Sequence, residues 1–165
     1  MTKIAFIGAG STIFAKNVLG DCLMVPAVNG FEFALYDIDP KRIKESKDML
    51  EHLKNRYNDT VSIRAYDDRK EALAGAKYVI NAIQVGGYKP GTVIDFEIPK
   101  KYGLKQTIAD TVGIGGIFRA LRTIPVLLDM AKDIESAAPD AWLLNYTNLN
   151  GNCKSIFKSR DIKFN

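Results

Sequence analysis

A glycine-rich turn near the N-terminus contains residue types that bind phosphate. Gly8, Gly10, Ser11 and Thr12 directly follow an apolar run at residues 4–7. Gly8 permits a tight turn and Gly10 lets the backbone approach a pyrophosphate, while free N–H groups at the start of the next helix face the anion. The stretch therefore predicts a strand, a turn and a helix N-terminus that together bind the pyrophosphate of a dinucleotide.

An acidic residue, Asp37, follows the second predicted strand and lies 27 positions after Gly10 (37 − 10). Its carboxylate can accept hydrogen bonds from a ribose 2′-OH and would repel a 2′-phosphate, which favours NAD over NADP. The fingerprint G-x-G-x-x-G is incomplete because its sixth position is Ile13. We expect this side chain to widen the approach of the helix to the strand. The alternative is a glycine turn in an ordinary α/β domain, with Asp37 as a loop carboxylate.

Amide side chains and glycines follow later apolar runs. Asn81, Gln84 and Gly86 lie at the end of the run at residues 78–83, and Asn148 follows the run at residues 141–144. Ligands of doubly wound sheets lie over the carboxyl ends of the strands, so we expect the first three beside the nicotinamide of the cofactor. Amides orient hydroxyl groups without transferring protons, which indicates a polyhydroxylated substrate. The alternative is an ordinary strand-to-loop turn.

Few residues are candidates for proton transfer or metal binding. Asp110 is the best carboxylate candidate because it lies in a glycine-rich segment, and its alternative role is a cap for the following helix. The single histidine, His52, lies among charged residues of a polar helix, where a surface position is expected. Cys22 and Cys153 lack the spacing of a zinc site or disulfide framework.

The elements that must position these residues alternate between strands and helices. Apolar runs predict strands at residues 4–7, 31–36, 61–65, 78–83 and 141–144, with a further strand beginning at 162–164. Helical patterns predict helices at residues 14–25, from 40 onward, at 69–73 and at 117–134, and residues 88–116 are predicted to be a loop. This order predicts the α/β class, with a Rossmann-like doubly wound parallel sheet in one NAD-binding domain spanning residues 1–165.

Composition and charge narrow the classes of function. Hydrophobic residues make up 47% and charged residues 25% of the chain, as in ordinary globular proteins. The sequence has no apolar run near the ~20 residues of a membrane helix, so we expect no leader peptide, a cytoplasmic location and no membrane partner. The net charge of +4 is spread along the chain, which argues against nucleic-acid binding.

Several stretches of the chain resemble glycoside hydrolase family four, most closely its α-galactosidase branch. They are residues 6–11, 36–39, 81–87, 95–99, 113–125 and 145–148. The most specific is Gly-Gly-Ile-Phe-Arg-Ala-Leu-Arg-Thr-Ile-Pro at 115–125. The resemblance implies a glycosidase in which NAD oxidises the sugar at C3, a divalent metal, usually manganese, stabilises the enediolate, and the glycosidic oxygen leaves by elimination.

The resemblance also implies roles for individual residues. It implies that Asn148 and Asp110 contact the sugar substrate, and that the glycine turn and Asp37 contact the cofactor. Family members continue after Asn148 with Pro-Met-Ala-Met-Asn or close to it, whereas this chain has a divergent tail at 149–165. The family's metal ligands and catalytic tyrosine lie in later sequence, so the resemblance places no catalytic residue and no metal ligand in this chain.

The resemblance thus implies the N-terminal part of a longer enzyme, truncated before its C-terminal catalytic domain and inactive by itself, with a homo-oligomer expected for full-length members. Two alternatives stay open from the residues alone. One is an NAD-dependent 2-hydroxy-acid dehydrogenase domain of the lactate or malate type. The other is a non-catalytic dinucleotide-binding module.

Overall fold

The computed structural model describes residues 1–106, 113–147 and 163–164. In these residues six strands form one parallel sheet in the order β3-β2-β1-β4-β5-β6. The strands are β1 (Lys3–Ile7), β2 (Glu32–Tyr36), β3 (Ser62–Tyr66), β4 (Tyr78–Asn81), β5 (Trp142–Asn145) and β6 (Lys163–Phe164). The strand order reverses between β1 and β4, and such a switch point is where doubly wound sheets bind ligands. The predicted α/β class is confirmed.

In the described part of the chain, five α-helices connect the strands. They are α1 (Thr12–Leu23), α2 (Pro40–Tyr57), α3 (Arg69–Leu73), α4 (Val93–Lys101) and α5 (Ile114–Ala137). Asp39 caps α2, because its carboxylate accepts hydrogen bonds from the N–H groups of Lys41 and Arg42, and Pro40 takes the first helical position. Among the described residues, no helix combines the length and the apolar character that crossing a bilayer needs.

Each face of the sheet carries a hydrophobic core, because successive residues of β1 point to opposite faces. Ile4 and Phe6 pack with α1 and α2 on one face, and Ala5 and Ile7 pack with α3 and α5 on the other. β1 is buried along its whole length, as expected of a central strand covered on both faces. The two cores hold the strand ends in fixed positions relative to one another, and these ends carry the candidate site.

The loop predicted for residues 88–116 is wrong in part, because α4 lies within it. Pro99 falls inside α4 and interrupts the helical pattern in the sequence. The helix is instead stabilised by a contact to a distant element, since its Asp95 is buried and pairs with Arg122 of α5. Helix α5 begins three residues before and ends three residues after the predicted range, and it continues through Pro125.

Candidate nucleotide-binding site

The candidate site lies at the carboxyl edge of the sheet, where β1, β2 and β4 end. The N–H groups of Gly8 and Ala9 donate to the carbonyl of Tyr36, at 2.9 and 3.0 Å. Gly8 has φ of +90°, and a Cβ atom there would lie 2.8 Å from the carbonyl carbon of Ala82. Only glycine fits this position, because it permits both the positive φ and the close approach of the turn to the end of β4.

The carboxylate of Asp37 contacts the glycine turn directly. Its Oδ2 accepts a hydrogen bond from the N–H of Gly10 at 2.7 Å, and its Oδ1 accepts one from the N–H of Asp39 at 3.0 Å. A Cβ atom on Gly10 would lie 2.6 Å from Oδ2, so the contact requires glycine. Each carboxylate oxygen has a further lone pair for another donor. The predicted acid is therefore fixed beside the predicted phosphate-binding turn.

The start of α1 presents hydrogen-bond donors to the site. Thr12 receives a 3.4 Å hydrogen bond from the buried hydroxyl of Ser46, and the side chain of Ser11 makes no capping bond to the helix. Within the described residues, the backbone N–H groups of Ile13 and Phe14 have no acceptor. Unpaired N–H groups and the dipole of a 12-residue helix favour an anion at this end.

The prediction that Ile13 widens the approach of α1 to the sheet is wrong. Its side chain is 75% exposed and so does not lie between the helix and β1. Ala9 and Ala15 are fully buried near this end of the helix, and both are small enough for close packing. Ile13 takes the position of the third glycine in the fingerprint, but that position alone does not show whether its side chain faces the sheet.

Asn81 connects the ends of β4 and β5. Its Nδ2 donates to Oδ1 of Asn145 at 2.7 Å and to Oγ1 of Thr147 at 2.9 Å, and its Oδ1 accepts from the N–H of Ile83 at 3.4 Å. The side chain is fully buried. A cofactor contact by Asn81 stays a prediction, and the structure places this amide beneath the edge of the sheet, where it holds two strand ends together.

The loop after β4 carries two further predicted cofactor residues, Gln84 and Gly86, and both are exposed. Arg122 of α5 supports this loop, because its Nε donates to the carbonyl of Val85 at 3.2 Å. The same guanidinium makes two hydrogen bonds to Asp95, at 3.0 and 2.7 Å, which raise the pKa of Arg122. Sequence reasoning missed this pair, although both residues lie in the stretches that carry the family resemblance.

Several other predicted residues lie outside the described residues or away from the site. Asp110, Asn148 and Cys153 fall outside the described ranges, so the substrate contacts expected of Asp110 and Asn148 stay predictions. His52 is exposed on α2, where its Nδ1 lies 2.7 Å from the carbonyl of Asp48, and this confirms the expected surface position. Cys22 is half-buried against the core, and burial raises the pKa of its thiol.

Metal-ligating side chains do not converge in the part of the chain that the structure describes. No group of three or more His, Cys, Asp or Glu residues there could hold a metal ion. The described part of the site therefore has the donors for a nucleotide but not the ligand set for a metal.

The switch-point geometry defines a Rossmann-like dinucleotide-binding fold. Residues 3–163 match the sequence model described as family 4 glycosyl hydrolase. This chain therefore belongs to glycoside hydrolase family four, as the sequence resemblance predicted.

Two similar proteins extend this comparison. The chain is 78% identical over 148 residues to the α-galactosidase of Bacillus subtilis (strain 168), covering 90% of this chain and 34% of that protein. It resembles a 6-phospho-β-glucosidase from Thermotoga maritima whose structure contains manganese, NAD+ and glucose-6-phosphate, with a TM-score of 0.87 and 30% identity. That match covers 99% of this chain and 39% of the other. The chain thus spans about a third of the length of these relatives.

The fold is also shared with a dehydrogenase. The structure of the lactate dehydrogenase of Eimeria maxima with NADH and oxamate matches this chain with a TM-score of 0.64 and 16% identity. The match covers 97% of this chain and 40% of the dehydrogenase chain. At this identity the likeness concerns the fold alone. The dehydrogenase alternative is thus weaker than family-four membership, which rests on a match over nearly the whole chain.

Proposed function

We propose that this chain forms the NAD-binding part of a family-four hydrolase that acts on α-galactosides. The observation that carries the proposal is the carboxylate of Asp37, which accepts the N–H of Gly10 at 2.7 Å at the switch point of the sheet. The 78% identity to an α-galactosidase supports the choice of α-galactosides. The neighbouring structure that contains NAD+ supports the choice of cofactor.

The adenosine end of NAD would lie at Asp37. Both carboxylate oxygens are already oriented by backbone N–H groups, and both have lone pairs left for the two ribose hydroxyls. A 2′-phosphate at the same place would bring further negative charge against the carboxylate. The site would therefore select NAD over NADP.

The pyrophosphate would lie between the glycine turn and the start of α1. Gly10 presents no side chain there, and the N–H groups of Ile13 and Phe14 are available as donors. Gly8 shapes the turn, and the hydroxyls of Ser11 and Thr12 are the predicted side-chain contacts. The nicotinamide half would then lie over the end of β4, beside the predicted contacts Asn81, Gln84 and Gly86.

The chemistry of this site is divided between the cofactor and the chain. When bound, NAD would accept and return a hydride at a carbon of the sugar, as the family resemblance implies. The described residues of the chain bind and orient that cofactor, and the predicted contacts of Asn148 and Asp110 would orient the sugar. Because the chain covers 34% of the α-galactosidase relative, we propose that the manganese ligands and the catalytic base belong to the part it does not cover.

Calorimetric titration of the purified chain with NAD and NADP tests the cofactor assignment. We expect NAD to bind and NADP to bind at least about tenfold more weakly, a difference of about 1.4 kcal/mol. Equal affinity for the two nucleotides would contradict the role of Asp37. Absence of binding by a chain that melts cooperatively by circular dichroism would contradict the assignment of the site.

A second assay tests the division of the catalytic groups. The chain, supplied with NAD and Mn²⁺, is expected not to cleave p-nitrophenyl α-galactoside, because its described residues contain no candidate metal-ligand cluster. Measurable cleavage would show that the chain holds catalytic groups of its own. The cytoplasmic location, the homo-oligomeric state and the extent of the domain over residues 1–165 stay predictions of the sequence.

A further inference from the structure

Arg122 of α5 and Asp95 of α4 form an ion pair in which the carboxylate is buried and the guanidinium is partly exposed. The guanidinium Nη1 donates to Oδ1 at 3.0 Å and Nη2 donates to Oδ2 at 2.7 Å. Asp95 is only 5% exposed. A bidentate contact of this kind fixes the relative orientation of both side chains. Lysine cannot reproduce it, because its ammonium lacks the planar, parallel N–H donors of a guanidinium.

The third donor of the same guanidinium reaches the loop after β4, which we define as residues 82–87 and call the β4 loop. Nε of Arg122 donates to the carbonyl of Val85 at 3.2 Å. Gly86 has φ of +85°, and a Cβ atom on it would lie 2.9 Å from this Nε and 3.1 Å from Cδ. The β4 loop therefore lies directly against the Arg122 side chain, with no space for a side chain between them.

A second link joins the same elements. Gln106 donates through Nε2 to the backbone carbonyl of Asp95 at 3.3 Å, and its Oε1 accepts from the N–H of Gly115 near the start of α5 at 3.2 Å. Helix α4 is thus bonded to α5 by Gln106 and by Arg122. Arg122 extends this connection to the β4 loop at Val85, next to the bond that the N–H of Gly91 donates to the carbonyl of Gly86 at 3.1 Å.

The location of the β4 loop defines which part of the ligand it affects. The site runs along the sheet edge from Asp37 at β2, past Gly10 after β1, to the β4 loop. With the adenosine ribose at Asp37, the nicotinamide half falls on the β4 loop and the adenosine half lies two strands away. Arg122 is therefore placed to influence one half of the dinucleotide and not the other.

We propose that Arg122, paired with Asp95, is a positioning residue that holds the β4 loop in the conformation that binds the nicotinamide half of NAD. This inference rests on the proposed function, because it assumes that NAD occupies the switch point. It adds a residue that does not touch the cofactor and acts through the carbonyl of Val85 and the backbone at Gly86. Its distinctive consequence is a selective loss of nicotinamide recognition.

The test compares NAD with ADP-ribose, which lacks nicotinamide, by calorimetry on Arg122→Lys. We expect the affinity for NAD to fall about tenfold, as for the loss of one charged hydrogen bond, while ADP-ribose changes less than about twofold. Arg69→Lys is the matched control, since Arg69 of α3 also pairs with carboxylates of α5, those of Asp129 and Asp133. That control is expected to leave both affinities unchanged.

Gly86→Ala provides a second variant, which changes the β4 loop and keeps both residues of the ion pair. Its Cβ would collide with Arg122 and strain the positive φ, so we expect it to weaken NAD selectively as well. This variant decides the test if Arg122→Lys does not fold.

Three results would overturn the inference. Equal losses for NAD and ADP-ribose would show that the pair is merely structural. Equal affinities of the unaltered chain for both ligands would show that the β4 loop does not bind nicotinamide, while the proposed function would stand. Binding of neither ligand by the unaltered chain would overturn the proposed function and the inference together.

Discussion

The carboxylate of Asp37 and the backbone of Gly10 are so close that a single methyl group cannot fit between them. Oδ2 lies 2.7 Å from the Gly10 nitrogen, and a Cβ atom on Gly10 would lie 2.6 Å from the same oxygen. The acid at the end of β2 and the turn at the end of β1 therefore form one unit, although 27 residues separate them. This unit links the predicted ribose contact to the predicted pyrophosphate contact.

Gly10→Ala is expected to weaken NAD binding by at least about tenfold. The new methyl carbon would lie 2.6 Å from Oδ2 of Asp37, which is closer than van der Waals contact allows, so the carboxylate must move. Isothermal calorimetry measures the change. Gly20→Ala on α1 is the matched control, because its nearest contact would be Leu53 Cδ1 at 3.4 Å, and it should retain the affinity of the unaltered chain. Unchanged affinity in Gly10→Ala would contradict this geometry.

Asn81→Ala is expected to lower the free energy of unfolding by about 2–4 kcal/mol. The substitution leaves Asn145, Thr147 and the N–H of Ile83 without the partners that the amide supplies. Urea unfolding followed by circular dichroism gives the value. Asn17→Ala, the same change at an exposed position on α1, should stay within about 0.5 kcal/mol of the unaltered chain. A similarly small effect at Asn81 would mean that these bonds do not stabilise the sheet edge.

Arg69→Ala is expected to raise the pKa of Asp129. Hydrogen bonds from Arg69 lower the pKa of this exposed carboxylate below its usual value. A carboxylate whose pKa is lowered in the folded state contributes stability above its unfolded pKa and loses that contribution as the pH falls through the folded pKa. The unaltered chain should therefore lose more stability on acidification than Asp129→Asn, by a small amount because the Asp129 carboxylate is exposed.

Carboxyl-carbon NMR titration of Asp129 measures this pKa directly, and urea unfolding between neutral and acidic pH gives the stability change. Lys70→Ala serves as the control. Lys70 makes a longer ion pair, with Asp133 at 3.6 Å, and lowers the pKa of Asp129 less than Arg69 does. An Asp129 pKa that does not move in Arg69→Ala would contradict the assigned cause.

The parts of the fold that the sequence predicted are those whose signals are local. The strand, turn and helix from residue 3 to residue 23 follow from adjacent residues, and Asp37 follows from its spacing to the turn. Helix α4 was missed because Pro99 interrupts its pattern and because Asp95 obtains its stabilising partner from α5, 27 residues away. Local periodicity carries no information about such a distant partner.

The same limit applies to the candidate site. The sequence identified Asn81 as a residue at a strand end but did not show that its amide bonds to Asn145, 64 residues away, and is buried. It also did not show that the Ile13 side chain is exposed. Side-chain direction at the sheet edge depends on which strands become neighbours, and that order is set by the packing of both cores.

The most direct test of the proposed dinucleotide site is the nucleotide preference of Asp37→Ala, measured by calorimetry with NAD and NADP. We expect the substitution to weaken NAD binding at least about tenfold and to remove the preference over NADP, because the ribose acceptor and the charge that repels a 2′-phosphate are lost together. A cooperative thermal melt confirms that the variant is folded. A folded variant that keeps the full preference for NAD would contradict the assignment of Asp37, and with it the proposed dinucleotide site.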